Sequence, residues 1–109
     1  MTKSISINSK EWFDKVNGNS YFSGTVTLDH GTETEETFLI PFQNGYGSQH
    51  EQEAKAILTE FNKISSNWNQ NLYSYCKEEN IKFSSTIETD FKRRDLKEIE
   101  NEYNRNLNQ

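Results

Sequence analysis

Only one cysteine, Cys76, and one proline, Pro41, occur in the 109 residues. A lone cysteine excludes an internal disulfide and fits a reducing compartment, so a cytoplasmic setting is expected. No run approaches the roughly 20 apolar residues that span a bilayer. Met1-Thr2-Lys3-Ser4-Ile5 lacks the apolar region of a secretory signal, so no membrane association is expected. Basic residues are outnumbered, 12 against 17 acidic, for a net charge of −5. That balance disfavours tight non-specific binding to nucleic acid, which needs clustered Lys and Arg, and favours basic protein partners. Apolar residues make only 31% of the chain, against roughly 45–50% in globular proteins by a count that includes Gly.

Aromatic residues offset that shortage. Seven Phe, five Tyr and two Trp can carry one small core, each burying on the order of 150–250 Å². The length suits a single domain over residues 1–109.

Ile5 and Ile7 alternate with polar residues as a first strand. Ser9 then reads as the cap of a short helical turn over Lys10–Val16, closed by Asn17-Gly18; the alternative is that the strand runs on through Trp12 to Asp14. Tyr21–Leu28 alternates cleanly, with Phe22, Val26 and Leu28 on one face. Phe38, Ile40 and Phe42 repeat the alternation, so the two runs form a hairpin. Pro41 lacks an N–H and makes its strand an edge or a bulge.

Ser48-Gln49-His50-Glu51 has capping-box spacing ahead of Ala54, Ile57, Leu58, Phe61 and Ile64 at helical intervals. A second helical run aligns Trp68, Leu72, Tyr75 and Cys76 and ends near Asn80. Ile81, Phe83, Ile87 and Phe91 read as a fourth strand. Asp95-Leu96-Lys97-Glu98 opens a C-terminal helix, with residues 97–109 forming a helix and tail that frays at its end. The expected fold is α+β: a small antiparallel sheet of about four strands with helices packed on one face, in two layers.

Chemistry-bearing patterns are sparse. His30 and His50 are the available imidazoles, and Cys76 falls on a buried stripe, so a Cys76–His50 pair is disfavoured against a packed thiol. Zinc-type spacings are absent, and Glu33, Glu35 and Glu36 do not make a calcium loop. No catalytic residue, metal or cofactor is expected, and the chain reads as a non-enzyme. Gly45-Tyr46-Gly47 ahead of a helix is either a strand-to-helix turn with Tyr46 packed down or a loop presenting Tyr46 to a partner. Asp29 with Glu33, Glu35 and Glu36 forms an acidic hairpin loop suited to a basic partner. Lys92-Arg93-Arg94 is the one basic cluster and the candidate for phosphate contact. The narrow stripe of the last helix can pack on its own domain or on a second copy, leaving a homodimer open.

Two resemblances add expectations. The order strand, strand, Gly-x-Gly, Ser, helix resembles the back half of a double-stranded-RNA-binding domain. That family grips phosphate with lysines at the helix start, where this chain has Ser48-Gln49-His50-Glu51-Gln52-Glu53. This departure puts the binding chemistry in doubt.

Four blocks, Glu11-Trp12-Phe13-Asp14-Lys15, Gly18-Asn19-Ser20-Tyr21-Phe22-Ser23, Pro41-Phe42-Gln43-Asn44-Gly45-Tyr46-Gly47 and Asp90-Phe91-Lys92-Arg93-Arg94-Asp95-Leu96, together resemble small phage and prophage proteins of Gram-positive bacteria. The resemblance spans roughly residues 10–96, with the stretch from Ser65 to Asn80 and the tail after Leu96 additional. That family has no settled enzymatic activity, so no catalytic residue transfers. It implies a phage-encoded inhibitor of a host defence or nucleic-acid-handling protein, of anti-CRISPR or anti-restriction type. The partner would be a basic enzyme or nuclease reached through Asp29, Glu33, Glu35, Glu36 and Tyr46. The alternative is direct nucleic-acid binding through Lys92, Arg93 and Arg94.

Overall fold

The computed structural model describes residues 2–65 and 70–107. These form β1 (Ser4–Asp14), β2 (Asn19–Leu28), β3 (Glu36–Asn44), α1 (Gln49–Glu60), α2 (Leu72–Glu78), β4 (Lys82–Glu88) and α3 (Arg93–Leu107). One sheet has the order β3-β2-β1-β4. β1–β2 and β2–β3 pair antiparallel, whereas β4 runs parallel to β1. The α+β class and its four strands follow the expectation, but the sheet is mixed. The reason is that the chain leaves β3 at one edge, crosses through α1 and α2, and returns at the other edge in the direction of β1.

Alternation along β1 sorts the two faces. Ile5 and Ile7 face a core completed by Phe22, Val26, Leu28 and Ile40 of the sheet, Ala54 and Leu58 of α1, Ile64, and Leu72 and Cys76 of α2. Burial of this set from both layers is the main stabilising term, at roughly 25 cal/mol per Å² of apolar surface. The residues between them, Ser4, Ser6, Asn8, Lys10 and Trp12, face the other way, and there α3 lies. Lys97 stands 4.5 Å over the Phe42 ring, and Tyr103 donates a 3.3 Å hydrogen bond to the Thr37 carbonyl. Leu96 of α3 is fully buried. The expected single helical layer is therefore incomplete: α1 and α2 cover the apolar face and α3 the polar one.

A register shift explains how the sheet feeds both faces. Phe22 pairs with Gln43 but Gly24 pairs with Ile40, so β3 carries one residue more than β2 across the step. Pro41 sits in that bulge, as its missing N–H requires. The extra residue reverses the alternation, leaving Phe38 and Ile40 toward the core and sending Phe42 to the α3 face. There Phe42 stacks on Tyr21 at 5.2 Å and Tyr21 on Trp12 at 5.2 Å. This three-strand aromatic ladder is why β1 continues to Asp14 instead of turning into a helix at Lys10. Ser9 caps nothing; its hydroxyl is buried without a hydrogen-bond partner. Asp14 closes the hairpin by accepting from the amides of Val16 and Asn17, and Gly18 supplies the left-handed residue (φ 71°).

Helix ends depart from expectation in instructive ways. Ser48 occupies the N-cap of α1 but its side chain makes no cap bond. Gln49 Oε1 instead accepts the Tyr46 amide at 3.0 Å. α2 begins at Leu72, capped by Asn71, whose side-chain Oδ1 accepts the Ser74 amide at 2.8 Å. Trp68 lies outside the described residues. Asn80, at φ 57°, ends the α2 segment as expected, and β4 stops at Glu88, before Phe91. α3 starts two residues before Asp95, whose carboxylate reaches back to the Lys92 amide at 2.8 Å, one half of a capping box.

Candidate functional site

The β2–β3 loop is built around Asp29. This residue is 8% exposed and left-handed at φ 52°. Its carboxylate accepts the Lys3 amide at 2.6 Å, the Ser4 amide at 3.2 Å and the Thr34 hydroxyl at 2.9 Å. The Lys3 amide, helped by the Thr34 and Ser4 bonds, holds the Asp29 carboxyl below its ordinary value despite burial. Asp29 is thus an inward clamp, not a presented charge. The loop it fixes presents Glu33, Glu35 and Glu36, all exposed. Glu35 accepts the Gly31 amide at 2.9 Å and lies 3.0 Å from His30 Nδ1; Glu36 lies 2.9 Å from Lys63 Nζ. Glu33 has no partner among the described residues.

Tyr46 lies at the other end of the sheet. Eight residue steps of β3 separate Glu36 from Asn44, about 27 Å of strand. The structure therefore does not bring Tyr46 together with the acidic loop. Its side chain is 72% exposed, so it does not pack down onto the domain. Gly45 passes directly over Phe22, whose ring would stand 2.5 Å from any Cβ there, which lifts the Tyr46 loop off the core. At this same end Phe13 is 51% and Val16 92% exposed. The Phe91 amide donates to the Glu11 carbonyl and fixes Lys92, Arg93 and Arg94 beside β1, just beyond the end of β4. All three are exposed, and none makes an ion pair among the described residues. They open α3, where the helix dipole opposes positive charge. The molecule thus has an acidic pole at the β2–β3 loop and a basic, aromatic pole at the opposite end.

Between the poles lies a pair that sequence reasoning missed. His50 is 4% exposed, with Nδ1 3.0 Å from the Gly47 carbonyl and Nε2 3.0 Å from Ser85 Oγ. A carbonyl only accepts, so Nδ1 carries a proton and donates to it, while Nε2 bonds the Ser85 hydroxyl with the Glu51 carboxylate 3.9 Å away. The imidazole is closed to a substrate, and the pair ties the first turn of α1 to β4. Thirty-five residues separate the two, so no local pattern announces them. Cys76 is buried, and burial pushes its thiol up to about 11, away from nucleophile chemistry. No Cys76–His50 bond forms. Among the described residues no group of three or more His, Cys, Asp and Glu could hold a metal ion, and no helix is long and apolar enough to cross a membrane.

Comparisons with protein-family models, curated protein sequences and solved structures give no match.

Proposed function

We propose that this chain is a non-catalytic, phage-encoded binding protein that inhibits or modulates a host defence or nucleic-acid-handling protein, docking on a basic surface through its acidic pole. The observation that carries the reading is the clamped β2–β3 loop. Asp29 spends its own charge on the loop's foundation, so that Glu33, Glu35 and Glu36 stand in a pre-ordered array. Pre-ordering lowers the entropy cost of association, and acidic charge steers encounter with a basic groove. The buried Cys76 and the enclosed His50 favour binding over catalysis.

The test is capture of a partner from host lysate with and without nuclease, using wild type, a Glu33→Lys/Glu35→Lys variant and an Arg93→Ala/Arg94→Ala variant. The expected result is a protein retained after nuclease, lost with the acidic-pole variant and kept with the basic-pole variant. Retention by both variants would refute the acidic-pole reading.

A second reading rests on the three unpaired cations held at the start of α3 against the helix dipole. There Lys92, Arg93 and Arg94 would bind nucleic acid directly, with capture lost on nuclease treatment and binding weakened in the Arg93→Ala/Arg94→Ala variant.

A further inference from the structure

We infer that β4 is the interface of a symmetric homodimer, in which two copies pair antiparallel about Ser85 and join their sheets into one. β4 is an edge strand along its whole length. The Lys82 amide donates to the Lys3 carbonyl at 3.0 Å, so in this parallel ladder Lys82, Ser84, Thr86 and Glu88 turn their backbone groups toward β1. Phe83, Ser85 and Ile87 turn theirs outward, and none of the three amides has a partner among the described residues. An unpaired row of this kind is a template for another strand.

The sequence of β4 is complementary to itself in one register. Antiparallel pairing about Ser85 sets Lys82 opposite the partner's Glu88, Phe83 opposite Ile87 and Ser84 opposite Thr86. Charge meets opposite charge, apolar meets apolar and hydroxyl meets hydroxyl, and the three outward residues form the hydrogen-bonded pairs. A shift of two residues sets Lys82 against Thr86 and Phe83 against Ser85, and the charge and apolar matches are lost. The strand has the shape to be used. Its register with β1 is unbroken over seven residues, it has no proline, and α3 packs against β1, β2 and β3. From the core side His50 holds the Ser85 hydroxyl inward, fixing the backbone at the proposed two-fold axis. A seven-residue strand pair falls below the ~1,200 Å² of a standard interface, so the dimer is reversible and depends on concentration.

Sedimentation equilibrium of wild type, Lys82→Glu, Glu88→Lys and the double swap tests this. Both residues are exposed, so the variants fold. Within one chain the two positions are about 20 Å apart along the strand, too far to pair. The expected result is a wild-type monomer–dimer equilibrium, a dimer dissociation constant raised about three- to tenfold by each single reversal, and recovery in the double swap. Amide exchange of Phe83, Ser85 and Ile87 slows with protein concentration in parallel. A monomer up to about 1 mM, a millimolar constant being the weak limit of measurable association, overturns the inference. So does a dimer indifferent to the single reversals, or one the double swap does not restore. Protection of the three amides only on adding a foreign extended peptide would assign the edge to a different partner and equally overturn it.

Discussion

At one edge of the sheet β3 carries Pro41, a bulge and an acidic start at Glu36; at the other, β4 keeps an unbroken register with β1, has no proline and presents three amides without a partner among the described residues. β3 is finished as the edges of monomeric proteins are, with a residue that cannot donate and a break in register. β4 has neither device and is steadied from behind by the His50–Ser85 bond. The contrast shows how one sheet can close one side and leave the other available, with the difference lying in single residues.

The comparison can be broken from the inside first. Gly24 sits where the bulge begins, and a Cβ there would lie 2.3 Å from the Asn8 carbonyl oxygen and 2.5 Å from Ser9 Oγ. Both belong to the neighbouring central strand, so Gly24→Ala is expected to cost about 3 kcal/mol in urea unfolding. A cost under about 1 kcal/mol would show that β1 and β2 can part without losing the sheet. Next is His50→Ala, expected to cost about 2 kcal/mol through two lost hydrogen bonds and a small cavity. Its signature is regional: β4 amides exchange faster while those pairing β2 with β3 do not. Uniform acceleration would mean that His50 supports the fold as a whole and not the β4 edge.

Smaller effects separate the loop from the edges. The Asp29 carboxyl is lowered in the folded chain, so its contribution to stability is present above its ordinary value of 3.8 and is lost as pH falls through the lower folded value. Asp29→Asn keeps an acceptor for the Lys3 amide but has no charge to titrate. Its melting temperature should fall modestly at neutral pH, with the gap to wild type closing below pH 3.8; a gap unchanged by acid would refute the clamp. The smallest effect is expected from Glu33→Lys, within about 0.5 kcal/mol, because Glu33 is exposed and has no partner among the described residues. A larger loss would place Glu33 in the loop's own structure and remove it from the presented set.

Much of the scaffold was legible because it is local. The β2–β3 hairpin, the edge position of Pro41 and the end at Asn80 follow from alternation, a missing donor and a residue tolerant of positive φ. The capping box at Ser48 looked equally local and failed, because Ser48 sits at ψ 7° and not in the extended conformation from which its hydroxyl would reach the helix amides. At Lys10 the alternative holds: the strand runs on through Trp12, which stacks on Tyr21 across the hairpin, to Asp14. Of the candidate site residues, Glu33, Glu35, Glu36, Lys92, Arg93 and Arg94 are exposed. Asp29 proved to be a clamp, and Tyr46 lies at the far pole.

By itself the sequence determined the α+β class, the alternation of β1 and β2, the charged loop and the lone thiol, since each depends on residue type and short-range period. Only the tertiary structure decided the rest. It set β4 parallel to β1, divided the helices between two faces, turned Phe42 through the bulge to the α3 side, and joined His50 to Ser85 across 35 residues. These outcomes depend on which surfaces meet once the chain crosses from β3 to β4. No short-range pattern encodes that meeting.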